Sequence, residues 1–136
     1  EVTGDCVVIG GGLVGAETAE YLANKGHQVT IVEMMDKIAA GESTTVLPLM
    51  MKDFADHNVK QLVNTKVDHI ENNIVYTANE QIKADTIINA LGSKKNIFDD
   101  SSITIPHVCV GDCSGERTAD IASAIRTAYK AANEIG

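Results

Sequence analysis

One stretch, residues 6–33, constrains the fold more than any other: CVVIGGGLVGAETAEYLANKGHQVTIVE. It opens on four apolar residues, Cys6-Val7-Val8-Ile9, and continues through Gly10, Gly11 and Gly12 to Leu13-Val14-Gly15. Helical character then runs from residue 13 to about residue 25, with Gly15, Ala19, Leu22 and Ala23 on one face. Small residues on that face suit contact with a sheet. Gly26 suits the left-handed position just past a helix end. A second apolar run, 29–32, ends on Glu33. Strand, tight turn, helix, parallel strand and terminal acid together make a βαβ unit of the dinucleotide-binding type.

Each residue type has a physical task. Gly10 permits the sharp strand-to-helix turn. Gly12 has no side chain, so a pyrophosphate can approach the backbone. Gly15 lets the helix lie close to the strand. Gly11, Leu13 and Val14 belong to the same candidate site, where free N–H groups and the positive end of the helix dipole face the phosphates. Glu33, 18 residues beyond Gly15, can accept both ribose hydroxyls of an adenosine and would repel a 2′-phosphate. Residues 34–37 are Met-Met-Asp-Lys, with no Arg to receive such a phosphate, so the expected ligand is NAD(H) and not NADP(H). Met34 joins the candidate set as the neighbour of Glu33.

The rest of the chain is expected to complete one α/β domain. After a loop at 36–42, a helix should begin near Thr44 or Thr45, with Pro48 in its first turn. Val46, Leu47, Met50, Met51 and Phe54 are helically spaced, and Asn58 ends the element. Met34, Met35, Met50 and Met51 suit packing; lining of a cofactor mouth is the alternative. Residues 59–84 read as an antiparallel meander with strands at 60–63, 66–70, 74–77 and 81–84, turning at Asn72-Asn73 and Asn79-Glu80. Residues 85–92, DTIINALG, read as a buried parallel strand with Gly92 at its carboxyl end, where open α/β sheets bind ligands. A short strand at 106–112 ends in Gly-Asp, and Thr118 can cap a last helix over 119–135. The apolar stripe of that helix is Ile121, Ile125, Ala128, Tyr129, Ala132 and Ile135. The expected fold is a Rossmann-like parallel sheet with helices on one face and the meander on the other.

Composition narrows the partners. The 136 residues are 44% apolar and 22% charged, as in a globular domain. A net charge of −8 argues against nucleic acid and anionic membrane surfaces. No apolar run approaches the roughly 20 residues of a membrane span. Cys6, Cys109 and Cys113 are odd in number and lack a C-x-x-C spacing. Cys6 and Cys109 fall in expected buried strands, which fits a reducing cytoplasm. His27, His57, His69 and His107 form no nucleophile set, and no zinc spacing occurs, so neither catalytic nor metal-binding residues are assigned. The chain begins without Met at what reads as a linker, and is expected to be a fragment of a longer protein.

The motif GGGLVGAETAEYLANKGHQVTIVE resembles the NAD-binding domain of the pyridine nucleotide-disulfide oxidoreductase superfamily. The segments IVEMMDKIAA, TKVDHIENNIVYTANEQIKADTIINALG and VCVGDC most resemble the C-terminal part of old-yellow-enzyme-type NADH:flavin oxidoreductases, the branch of 2,4-dienoyl-CoA and enoate reductases. The resemblance implies that Gly10, Gly12 and Gly15 hold the NAD pyrophosphate and that Glu33 holds the adenine ribose. It also sets Glu17 toward the nicotinamide; the alternative for Glu17 is a carboxylate favoured by the helix dipole. Ala90-Leu91-Gly92 matches the family's strand end beside the NAD. Gly111-Asp112 matches the motif whose Asp contacts the FAD ribityl chain; the alternative is a loop cap.

Residues 1–100 would then be the NAD(H)-binding domain, and 101–136 a strand and helix of the FAD domain. FMN and an iron–sulfur cluster would lie elsewhere in the parent. Two departures stand out: the FAD-binding G-x-G-x-x-G is absent, and Lys94-Lys95-Asn96 replaces the usual Pro. The expected function is an NADH-binding module of an FAD-dependent oxidoreductase, partnered by NADH and by the FAD domain of its own chain, and inactive in isolation. The alternatives are a non-catalytic NAD(H)-sensing domain, or part of a stand-alone disulfide or ferredoxin reductase.

Overall fold

The computed structural model describes residues 1–40, 45–92, 99–114 and 121–135. In chain order its elements are β1 (Cys6–Ile9), α1 (Leu13–Asn24), β2 (Val29–Val32), α2 (Leu47–Asp56), β3 (Lys60–Leu62), β4 (Val67–Glu71), β5 (Ile74–Thr77), β6 (Gln81–Lys83) and β7 (Thr86–Asn89). A 3₁₀ turn (Gly111–Cys113) and α3 (Ile121–Glu134) follow. The chain divides into two units, Glu1–Gly92 and Ser93–Gly136.

In the first unit a four-stranded sheet runs in the order β3-β2-β1-β7, with every pair parallel. β1 is apolar throughout because both faces of the sheet are covered. Cys6 and Val8 face α1 and α2, in a core with Ala16, Ala19, Ile31 and Phe54. Val7 and Ile9 face the other way, against Val75 and Ile82 of the antiparallel sheet β4-β5-β6. Phe54, 1% exposed, is the largest fully buried side chain among the described residues, worth roughly 1.5–3 kcal/mol of burial. The architecture is the expected one: helices on one face of the parallel sheet and a meander on the other.

Local signals set the ends of the elements. α1 buries Gly15, Ala16, Ala19, Leu22 and Ala23. It stops at a Schellman motif: Gly26 N–H donates to the Ala23 carbonyl at 2.9 Å and His27 N–H to the Leu22 carbonyl at 3.2 Å. Gly26 has the positive φ, +90°, that this motif requires. Pro48 lies in the first turn of α2, where its missing N–H leaves no helix bond unmade. Asn58, at φ +55°, follows the end of α2.

Three expectations are corrected. Residues 60–62 do not belong to the meander: β3 pairs in parallel with β2, from Thr30↔Lys60 to Val32↔Leu62, because α2 supplies the crossover that a parallel connection needs. The meander therefore has three strands. Residues 106–110 form no strand, since no neighbour pairs with them among the described residues, and Gly111–Cys113 is a 3₁₀ turn. Cys109, expected in a buried strand, is accordingly exposed.

On α3 the apolar stripe stands exposed. Ile121 is 80% exposed, Ile125 64% and Tyr129 73%. The buried side of the helix is Ser123, Thr127 and Ala131, because Thr127 Oγ1 accepts the Gly111 N–H at 2.8 Å. Thr118, the expected cap, and Lys94-Lys95 lie outside the described residues.

Candidate functional site

A cleft of about 630 Å³ opens at the carboxyl ends of β1, β2 and β7. Its floor is the glycine turn, with Gly10 and Gly12. One side is the tip of β2, residues 32–35, and the other is the end of β7, residues 89–92. Residues 65–70, leading into and along β4, form the remaining wall.

The three motif glycines are glycine for different reasons. Gly10 has φ +102°, and a Cβ there would meet the Ala90 carbonyl oxygen at 2.5 Å. At Gly15 a Cβ would stand 1.8 Å from the Gly10 carbonyl oxygen, so helix and turn could not both keep their places. Gly12 is under neither constraint. Its φ is −64°, open to any residue, and among the described residues no atom beyond its chain neighbours lies within 4 Å of where its Cβ would be. It is the N-cap of α1, and no side chain caps that end. Open space therefore stands over a helix start whose first N–H groups lack intrahelical partners.

Glu33 holds the turn in place. Its Oε2 accepts the Gly11 N–H at 2.6 Å and its Oε1 accepts the Met35 N–H at 2.7 Å. Gly11 is buried, and its carbonyl accepts the Ala39 N–H at 2.6 Å. A half-buried carboxylate is thus fixed at the tip of β2 by charge-assisted bonds.

The other candidate residues divide into those at the cleft and those away from it. Met34 and Met35 are exposed at its mouth, whereas Met50 is buried in the helix-side core. Gly92, at φ +86°, lines the cleft beside Ala90 and Leu91. Leu13, Val14 and Glu17 are exposed on α1 and do not line the cleft. Asp112 is exposed in the 3₁₀ turn of the second unit.

Sequence reasoning missed the wall formed by residues 65–70. The register of β4 against β5 shifts between Val67 and His69, so consecutive residues there line the cleft and no alternation marks them. His69 stacks on Tyr76 with ring centres 4.3 Å apart. Asn89, which lines the cleft, was also missed; its signal is a polar residue that follows Ile87-Ile88 at the carboxyl end of β7. Among the described residues, no cluster of three or more His, Cys, Asp or Glu could hold a metal, and no helix is long and apolar enough to cross a membrane.

The family model for pyridine nucleotide-disulphide oxidoreductase matches residues 1–118. The chain is 46% identical, over 140 residues, to the bilirubin reductase of Mediterraneibacter gnavus (strain CC55_001C), covering 98% of this chain and 22% of the reductase. A solved complex of 2-naphthoyl-CoA reductase with 2-naphthoyl-CoA matches with a TM-score of 0.69 at 27% identity, over 96% of this chain and 21% of that one. The water-forming NADH oxidase of Lactobacillus brevis, solved with NADH bound, matches with a TM-score of 0.59 at 25% identity, over 68% of this chain and 22% of that one. The chain spans about a fifth of the length of these relatives.

Proposed function

Since the chain belongs to the pyridine nucleotide-disulphide oxidoreductase family, we propose that residues 1–100 are the NAD(H)-binding module of an FAD-dependent oxidoreductase and that 101–136 belong to its FAD domain. The observation that carries this reading is Gly12. Neither its backbone angle nor its packing calls for glycine, yet a side chain there would enter the space over the start of α1. A pyrophosphate needs that space and those N–H groups.

In this reading the first-turn amides of α1 hold the pyrophosphate, and Glu33 receives the adenine ribose on the carboxylate that Gly11 and Met35 orient. Glu17 and Ala90-Leu91-Gly92 serve the nicotinamide side, and Asp112 the FAD ribityl chain. When bound, NADH supplies a hydride and the flavin accepts it. The chain's own residues bind, orient and shield the reacting groups.

The resemblance of the motifs supports a parent of the old-yellow-enzyme type, with FMN and an iron–sulfur cluster elsewhere in it. Three free thiols support a reducing, cytoplasmic location.

The test is anaerobic mixing of the full-length parent with NADH or NADPH while flavin absorbance is followed. Rapid bleaching by NADH and slow bleaching by NADPH is expected. A parent without FAD, or one whose flavin NADH does not reduce, would overturn the proposal. An Asp112→Ala parent with unchanged flavin content and turnover would favour nucleotide sensing instead.

A further inference from the structure

Asn89 is the exception in the uppermost row of the sheet. Parallel pairing aligns it with Ile9, and Ile9 with Val32 and Val32 with Leu62, so all four side chains project from the same, meander-facing side. Ile9 and Val32 are buried in the meander-side core, and Leu62 packs against it. At the β7 end of this row stands a carboxamide, exposed and lining the cleft. Its Oδ1 accepts the Leu91 N–H at 3.2 Å. That bond sets the orientation of the amide, since a backbone N–H requires the oxygen and not the NH₂. The Nδ2 group keeps both of its donors, with no partner among the described residues.

Strand order decides which part of a ligand would reach it. β1 lies between β2 and β7. Glu33 ends β2, the glycine turn ends β1, and Asn89 ends β7. A dinucleotide with its adenosine at Glu33 and its pyrophosphate over Gly12 continues toward β7 with its other half. We propose that the Asn89 carboxamide donates a hydrogen bond to an acceptor oxygen on the nicotinamide-bearing half of the dinucleotide, making Asn89 a positioning residue for that half. The inference rests on the NAD(H) reading above and adds to it a residue outside the glycine motif.

A purely structural role would need only the acceptor oxygen that closes the turn at Leu91. Asn89→Asp keeps that acceptor and removes the donor, whereas Asn89→Leu removes both without adding charge. The experiment is calorimetric titration of the full-length protein and both variants with AMP, ADP-ribose and NADH. AMP carries only the adenosine half. The expected result is NADH binding weaker by about three- to tenfold in both variants, with AMP binding within about twofold of the wild type. Loss confined to NADH places the contact on the carboxamide, and loss shared with ADP-ribose places it on the second ribose; either supports the proposal. AMP and NADH weakened in parallel would make Asn89 a structural residue only. Unchanged NADH binding in Asn89→Leu would also overturn the proposal. A wild type that binds neither AMP nor NADH would overturn the NAD(H) reading itself, and this inference with it.

Discussion

Glu33 and Gly11 are joined by a 2.6 Å hydrogen bond from backbone N–H to carboxylate, which ties the tip of β2 to the turn after β1. The residue proposed to recognise the adenine ribose is therefore also a brace of the glycine turn. Because its other oxygen is held by Met35, the carboxylate is fixed before any ligand arrives.

Glu33→Ala should therefore cost stability as well as selectivity. It leaves the buried Gly11 N–H without its acceptor, at about 1–3 kcal/mol. Urea denaturation measures that loss, and the ratio of NADPH to NADH affinity should rise in the same variant. Unchanged stability would mean that the brace has no weight.

Gly12→Ala and Gly15→Ala should separate binding from folding. Among the described residues, the Cβ of Gly12→Ala meets no atom within 4 Å beyond its chain neighbours, so the change should alter stability by no more than about 1 kcal/mol, the scale of an N-cap change, while weakening NADH binding. Gly15→Ala drives a Cβ onto the Gly10 carbonyl and should destabilise the fold by about 1–3 kcal/mol or more. Thermal melts and NADH titrations of the two variants check the contrast.

The three thiols should differ in reactivity. Burial, and then Asp5 and Asp85, push the Cys6 thiol above its ordinary value. Cys109 and Cys113 are exposed. Mass spectrometry after brief alkylation of this chain should find those two modified, and Cys6 only after unfolding.

Glu20 gives the fold a pH dependence. Burial, and then the neighbouring Asp53 carboxyl, raise its pKa above the usual carboxylate value. The folded state thus binds the proton more tightly than the unfolded state. The stabilisation is complete below the unfolded value and is lost as pH rises through the folded one. Glu20→Gln should raise the melting temperature at pH 7, and the gain should vanish below about pH 4. Melting curves across that range decide it.

The parallel sheet was legible because Cys6-Val7-Val8-Ile9 is apolar at every position, which only a strand covered on both faces requires. β3 was not legible. Lys60-Gln61-Leu62 is a short, polar edge strand, and its place beside β2 depends on the non-local pairing Thr30↔Lys60. On α3 the stripe of Ile121, Ile125 and Tyr129 is real in the sequence. Apolar periodicity says that a face suits burial, but not what covers it, and here Thr127 and Ala131 are the buried side. At the cleft, Gly10, Gly12 and Glu33 are residues that the motif and its strand-turn-helix setting single out in the sequence. The double hold on Glu33 was not legible, because it depends on how the turn folds back on β2.

The most direct test of the account is a calorimetric titration of this chain with NADH, NADPH and FAD, with amide chemical shifts followed in parallel. NADH is expected to bind more tightly than NADPH, the amides of residues 10–15 and of Glu33 to shift, and FAD to produce no shift there. FAD binding at residues 10–15, or NADPH binding as tightly as NADH, would contradict it.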